Sequence, residues 1–387
     1  MVKPSISNAV HYIGVDDHEL DLFEGQYIIP NGIAYNSYVV LDEKIAILDT
    51  VDGRFADEWQ QNLDAELQGK TPDYLIISHM EPDHSAVISQ MLERYPNLTG
   101  VCSARALPMM QRFFTTDYTS RMLVVNEGDT LSLGAHTLQF FMAPMVHWPE
   151  VMVTFEQSEG ILFSADAFGK FGALDADEAW TCEARRYYFN ICGKYGAQVQ
   201  ALLKKAAALD IKTICPLHGP ILNENLEYYL NIYNTWSSYQ AEDKGIFIAY
   251  CSLHGNTAKA ALALEEIIAS KSNIRVATAD IAREDMAEAL EDAFRHDRLV
   301  LAAPTYDGGI MPVMDTFIHH LMAKNYQNRT VGIIENGSWA PVAGRKMCEM
   351  MQSLKGITVL QPMVTVESTV KDSTMEQLNA LADQLLK

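Results

Sequence analysis

The segment His79-Met80-Glu81-Pro82-Asp83-His84 puts four potential metal ligands into six residues. It directly follows Asp73–Ser78, an apolar run that reads as a buried strand. Imidazoles and carboxylates near a core cost free energy unless something compensates them, and metal ions do this well. The bland reading is a solvated polar loop capping a helix that starts near Ser85. Three more candidates occupy the same kind of position. His147 lies beyond Gln139–Pro144, Asp166 beyond Ile161–Ala165 and His218 beyond Ile211–Pro216. Singly, each reads as a strand-end residue, a turn or a loop histidine. Together, each just past a strand, they can converge on one edge of a sheet sandwich. The set offers imidazole nitrogen and carboxylate oxygen, and the hard anionic oxygen of Glu81 favours iron, above all ferric iron, without excluding zinc or manganese. His319 and His320 fall on a helical pattern too close in phase to share a face. His11, His18, His136 and His296 have no partner motif and read as ordinary.

A second constellation lies towards the C-terminus. The loop Cys251-Ser252-Leu253-His254-Gly255-Asn256-Thr257 is short, rich in hydroxyls and opens a helical pattern. Backbone N–H groups at a helix start, with Ser252 and Thr257, make a phosphate cradle; a plain N-capping turn is the alternative. Without a lysine it is no Walker loop, and without G-x-G-x-x-G it disfavours a dinucleotide. Two later loops, Ala303-Pro304-Thr305-Tyr306-Asp307-Gly308-Gly309-Ile310 and Glu335-Asn336-Gly337-Ser338-Trp339-Ala340, follow the third and fourth strands of the same region. Tyr306 and Trp339 are flat aromatics suited to stacking on a fused ring, and Gly308 and Gly309 allow close backbone approach.

These residues need elements to hold them. Strand-like runs at Ala34–Leu41 and Lys44–Leu48 flank a tight turn at Asp42-Glu43, and further runs follow at Tyr74–Ser78, Met122–Val125, Thr137–Met142, Val151–Phe155, Ile161–Ser164 and Ile211–Cys215. Helical patterns at Arg54–Gln68, Ser85–Tyr95 and Gly196–Leu209 suggest a layered αββα body. Composition turns polar near Gln240–Lys244, after the helical run Asn223–Tyr239, which places a domain boundary between residues 1–243 and 244–387. Beyond it, five βα units predict a five-stranded parallel sheet with helices on both faces, for which 2-1-3-4-5 is a common strand order. Ligands bind such sheets at the carboxyl ends of strands one and three, where the second constellation sits.

Length and charge agree with this division. The chain has 387 residues, enough for two domains, and 48% are hydrophobic. With 29 basic against 50 acidic residues the formal net charge is −21, which argues against nucleic acid and anionic membranes. No signal peptide and no membrane-length apolar run is read, and the scattered cysteines, none in C-x-x-C, predict a reduced, cytoplasmic chain without a rubredoxin module.

The H-x-E-x-D-H segment, with His147, Asp166 and His218 after later strands, resembles the metallo-β-lactamase superfamily. An acidic residue at Glu81, where most of its zinc hydrolases carry histidine, resembles the flavodiiron (A-type flavoprotein) branch, as do Met145–Pro149, Leu217–Pro220 and the flavodoxin-like P-T-Y-x-G-G segment Pro304–Gly309. The resemblance runs over essentially the whole chain. It implies one iron on His79, Glu81 and His147, a second on Asp83, His84 and His218, and Asp166 between them. In the family, the His84 side chain can turn away from the metal. It implies FMN on Ser252, His254, Gly255, Asn256, Thr257, Pro304, Thr305, Tyr306, Asp307, Gly308, Gly309, Ser338 and Trp339, with no catalytic residue beyond the metal ligands. It further implies reduction of dioxygen to water or nitric oxide to nitrous oxide, an external donor such as rubredoxin, and a head-to-tail homodimer or dimer of dimers. A zinc hydrolase with a regulatory FMN domain, or an electron carrier with a vestigial metal site, are the rival readings.

Overall fold

The structure is a computed structural model describing residues 4–387. Two compact units divide between Asn234 and Thr235, ahead of the boundary expected after Asp243. Side chains explain the difference. The Trp236 indole donates to Glu242, and the Arg329 guanidinium donates to the Tyr239 carbonyl, so this stretch belongs to the second unit.

In the first unit, a six-stranded sheet runs in the order Val10–Tyr12, Tyr38–Val40, Ala46–Leu48, Tyr74–Ile77, Thr99–Ser103, Met122–Val125, its last four strands parallel. A five-stranded sheet of Thr130–Ser132, Thr137–Met142, Met152–Glu156, Ile161–Phe163 and Thr213–Cys215 faces it. Alternation along the strands fixes what lies between them. Tyr38, Val40, Ala46, Leu48 and Ile76 meet Leu138, Phe140, Met152 and Phe163 in one core, each large side chain contributing roughly 1.5–3 kcal/mol by burial. Their sequence neighbours Val39, Ile47, Leu75 and Ile77 point the other way and are also buried. That reads as a sheet covered on both faces, the αββα layering.

The expected strand Ala34–Leu41 is two strands. Ile33–Tyr35 pairs with Val15–Asp17, while Tyr38–Val40 pairs with Val10–Tyr12 and Ala46–Leu48. The break falls at Asn36, whose amide donates to the carbonyls of Pro216 and Gly219 at 2.8 Å each. The Asp42-Glu43 turn is present. Its Asp42 carboxylate accepts from the His136 backbone and ring at 2.7 and 2.8 Å, and Glu159 lies 3.2 Å from the other ring nitrogen. His136 therefore has ion-pair partners that no local motif announced. Burial opposes its charge, but Asp42 and Glu159 outweigh burial and raise its pKa. A raised histidine pKa stabilises below the unfolded value, near 6.5, and that contribution fades as pH rises through the folded value. The melting difference between wild type and His136→Gln is accordingly expected to be larger at pH 6 than at pH 9; an unchanged or reversed difference would contradict the pairing.

The second unit has the 2-1-3-4-5 order. Arg275–Asp280, Asp243–Tyr250, His296–Tyr306 and Thr330–Asn336 are parallel neighbours. The fifth strand is split into Thr358–Val359 and Val364–Val366, both on Thr330–Asn336. Pro362 lies in the gap, and a proline has no N–H to give the ladder. Helices Asn256–Lys271 and Asp372–Leu385 pack together, with Ala260, Leu264, Leu378 and Leu381 against Ile246, Val300 and Ile334. No helix among the described residues is long and apolar enough to cross a membrane.

Candidate metal centre and flavin cavity

Strands Thr137–Met142, Ile161–Phe163 and Thr213–Cys215 share one direction, so their carboxyl ends lie at one edge of their sheet. His147, Asp166 and His218 follow those ends. His79 follows Tyr74–Ile77, and a single helical turn, Pro82–Ser85, then carries Asp83 and His84, with Glu81 as its N-cap residue. All seven expected side chains come together.

They form two groups. In the first, Glu81 Oε2 lies 3.1 Å from Nε2 of both His79 and His147, and Asp166 Oδ2 lies 3.4 and 3.0 Å from the same nitrogens. In the second, Asp83 Oδ2 lies 3.3 Å from Nε2 of both His84 and His218, which are 3.0 Å apart. Asp166 Oδ1 faces this group, 3.6 and 3.9 Å from the two nitrogens. Asp166 thus shows one oxygen to each group. His84 is turned in.

The donor set fits a pair of cations. Bonds of about 2.1 Å place neighbouring ligand atoms roughly 3.0–3.4 Å apart, the spacing seen here except at Asp166 Oδ1, which is 3.6 and 3.9 Å from the second pair. Both oxygens of Asp83 and Oδ1 of Asp166 are buried without a hydrogen bond, which leaves their lone pairs to the site. Tautomers agree as well. His218 Nδ1 is 2.8 Å from the Ala34 carbonyl, which can only accept, so its Nε2 presents a lone pair. His79 Nδ1 lies 2.8 Å from Glu150 Oε1 and donates to it in the same way. Burial pushes Asp166 up, but His79 and His147 outweigh it and hold its carboxyl well below the usual carboxylate range. Burial also lowers His84 to about 4, whereas at His79, His147 and His218 the facing carboxylates outweigh burial and raise the imidazole, positive charge that a cation would replace.

Supporting residues were not legible in the sequence. Glu150 is buried, and its Oε1 also accepts from the Met80 N–H at 2.9 Å. Asp49 Oδ1 accepts from the Ser78 N–H at 2.7 Å, and the Thr50 hydroxyl donates to the His84 carbonyl at 2.7 Å. Phe23, Tyr35 and Tyr187 stand edge-on or tilted to the His218 ring at 5.4–6.0 Å, and Trp148 edge-on to His79 at 5.1 Å. For Glu150 a signal existed: it closes the stretch His147-Trp148-Pro149-Glu150. Glu150→Ala should weaken metal retention by about 10- to 100-fold in chelator competition, as loss of a carboxylate behind a ligating histidine does. Retention at the wild-type level would contradict the assignment.

In the second unit, a cavity of about 610 Å³ opens at the carboxyl ends of Asp243–Tyr250 and His296–Tyr306. Ser252, His254, Asn256, Thr257, Pro304, Thr305, Asp307, Gly308, Ser338 and Trp339 line it, and so do Asn336 and Ser368, which were not anticipated. Gly255 caps the helix Asn256–Lys271 at φ 85° and donates its N–H to Ser252 Oγ at 3.0 Å. Gly255, Tyr306 and Gly309 lie outside the lining. Side chains alternate along a strand, so Thr305 and Tyr306 face opposite ways. Tyr306 instead pairs with Gly309 across a short ribbon. Gly308 has φ 66°, and a Cβ there would meet nothing, so the turn and not a close approach calls for glycine. Trp339 is 83% exposed at the cavity rim.

A metallo-β-lactamase-like unit with a dinuclear donor set, joined to a flavodoxin-like unit with a cavity at its switch point, defines the class. Residues 33–219 match the family described as ODP family beta lactamase. The anaerobic nitric oxide reductase flavorubredoxin of Vibrio vulnificus is 29% identical over 347 residues, spanning 86% of this chain and 70% of that protein. The rubredoxin oxygen:oxidoreductase of Desulfovibrio gigas superposes with a TM-score of 0.91 at 25% identity, over 99% of this chain and 97% of that one. The flavodiiron protein of Giardia intestinalis has the same fold, with a TM-score of 0.91 at 22% identity, over 100% and 97%. In sequence and in fold, over nearly its whole length, the chain is similar to flavodiiron proteins.

Proposed function

We propose that this chain is an oxidoreductase that reduces dioxygen to water, nitric oxide to nitrous oxide, or both, with two irons on the seven clustered side chains and FMN in the cavity of the second unit. The observation that carries the reading is the divided geometry of Asp166, one carboxylate oxygen towards each histidine pair. When bound, iron would supply electrons to a small oxidant and FMN would relay them from a donor. The protein's own residues do the rest. Asp166, Glu81 and Asp83 bring three negative charges that balance two cations in a site of low dielectric. Glu150 and the Ala34 carbonyl fix the His79 and His218 rings. Phe23, Tyr35, Tyr187 and Trp148 wall the centre with aromatic carbon, which excludes bulk water and suits a small neutral substrate. The helix start at Asn256, with the Ser252 and Thr257 hydroxyls, suits the flavin phosphate, and Trp339 suits its ring.

The name of the Desulfovibrio gigas protein favours an external rubredoxin as donor and dioxygen as substrate, while that of the Vibrio vulnificus protein favours nitric oxide. Six free cysteines suit a reducing, cytoplasmic setting, and a head-to-tail homodimer remains part of the proposal. Metal and flavin content per chain, followed by anaerobic turnover with dioxygen and with nitric oxide, tests it. About two irons and one FMN, with turnover of either gas, is the expected result. Two zincs from iron-supplied cells and no flavin would favour hydrolase chemistry instead.

A further inference from the structure

We infer that Asp16, His18 and Asp175 form a separate site for a single borderline divalent cation, of which zinc is the representative. None of the three belongs to the dinuclear centre, and His18 reads as ordinary from the sequence alone. Asp16 sits on the strand Val15–Asp17 and is 7% exposed. Its Oδ1 accepts the Leu174 N–H at 3.0 Å, while its Oδ2 is buried without any partner. A buried carboxylate oxygen left unpaired costs free energy that a cation would remove. The other two side chains have room to complete a shell: His18 and Asp175 are more than half exposed, and His18 Nε2 lies 3.5 Å from Asp175 Oδ2. That distance is close to the edge, about 3.4 Å, of a tetrahedron with bonds near 2.1 Å. One donor atom from each of the three residues lies within 4.8 Å of the others, as in each half of the dinuclear centre.

The donor chemistry selects the ion. One imidazole nitrogen with two carboxylate oxygens suits zinc and its first-row neighbours, whereas calcium and magnesium prefer oxygen alone. Water would fill the remaining positions. Glu58 lies near enough to Asp16 to add negative field at the site. The placement suggests a purpose. Gly172 and Ala173 already donate their N–H groups to the carbonyls of Gly32 and Asn31. A cation across Asp16, His18 and Asp175 would clip the loop that leaves Asp166 to the strand pair that carries Ala34 and Tyr35.

The test uses the full iron-loaded chain exposed to micromolar zinc, with zinc and iron counted separately by mass spectrometry. Wild type should take up one more zinc per chain than His18→Gln or Asp175→Asn. Zinc affinity at that site should fall at least about 100-fold in either variant, since each loses a direct ligand. Zinc should raise the melting temperature of wild type and leave both variants unmoved. Both replaced side chains are exposed, so the variants should melt as wild type does without zinc. Equal zinc uptake by all three proteins, with or without loss of iron, overturns the site.

Discussion

Asp166→Ala should empty both halves of the metal centre, taking metal content from about two ions per chain to well below one and activity down by at least about 10³-fold. The expectation rests on position. Asp166 is the one side chain with an oxygen facing each histidine pair, and it is buried at the junction of the two groups. Removing it takes one ligand from each ion and one negative charge from a site that must balance two cations. Several kcal/mol of lost stabilisation corresponds to the rate factor given. Asp166→Asn keeps the shape and loses the charge, and it should retain more metal than the alanine variant. His84→Ala removes a ligand from the second group alone and should leave close to one ion per chain. Metal content by mass spectrometry separates these outcomes. Two tightly held ions in Asp166→Ala would show that the carboxylate does not bridge them.

Arg329→Met should destabilise the second unit by at least about 3 kcal/mol while leaving the metal centre loaded. Arg329 is 3% exposed and stands at the start of the strand Thr330–Asn336. Its guanidinium donates to the carbonyls of His296, Tyr239, Gln327 and Phe294 at 2.6–3.0 Å, and it lies over the Tyr326 ring. Its charge is answered mainly by backbone oxygens. Methionine fills similar volume but strands several buried carbonyls, each costing about 1–3 kcal/mol when unsatisfied. Because those carbonyls belong to the chain segment entering the unit and to the helix end before the third strand, the loss falls on the unit's closure. Arg329→Lys should recover only part of it, since one ammonium cannot reach the same spread of acceptors. Urea unfolding followed by flavin fluorescence would show the shift; an unchanged midpoint would mean that water replaces the guanidinium at little cost.

What was legible in the sequence differs between the two units for a physical reason. The second unit is built from local βα repeats, and its elements fall within a few residues of expectation. The first unit defeats periodicity in places. The helix Trp180–Ile191 was not anticipated because nearly every side chain along it, including Arg185 and Arg186, is buried, so it shows no polar face to count. That helix carries Tyr187, a wall of the metal centre. The run at residues 34–41 looked continuous because the amide contacts that break it at Asn36 are made to residues near 216–219.

The sequence by itself determined the chemistry of the metal centre. Ligands must be imidazole and carboxylate, and they must follow strands whose apolar runs are visible, so the seven positions were readable as a set, though His147, Asp166 and His218 were not readable singly. It likewise showed the βα repeats of the second sheet and the loop, Cys251–Thr257, that suits a phosphate. The resemblance implied how those ligands divide, and the folded chain groups them that way, with Asp166 facing both groups; only the tertiary structure decided that His84 is turned inward. It alone supplied Glu150, Asp49 and the aromatic wall, and it set Tyr306 outside the flavin cavity. It also joined His18 to Asp16 and Asp175, and His136 to Asp42 and Glu159. The reason is common to all of these. A ligand's identity is a property of one residue, but its orientation, its hydrogen-bonded support and its ion-pair partners come from segments tens to more than a hundred residues away, which only the packed sheets bring within reach.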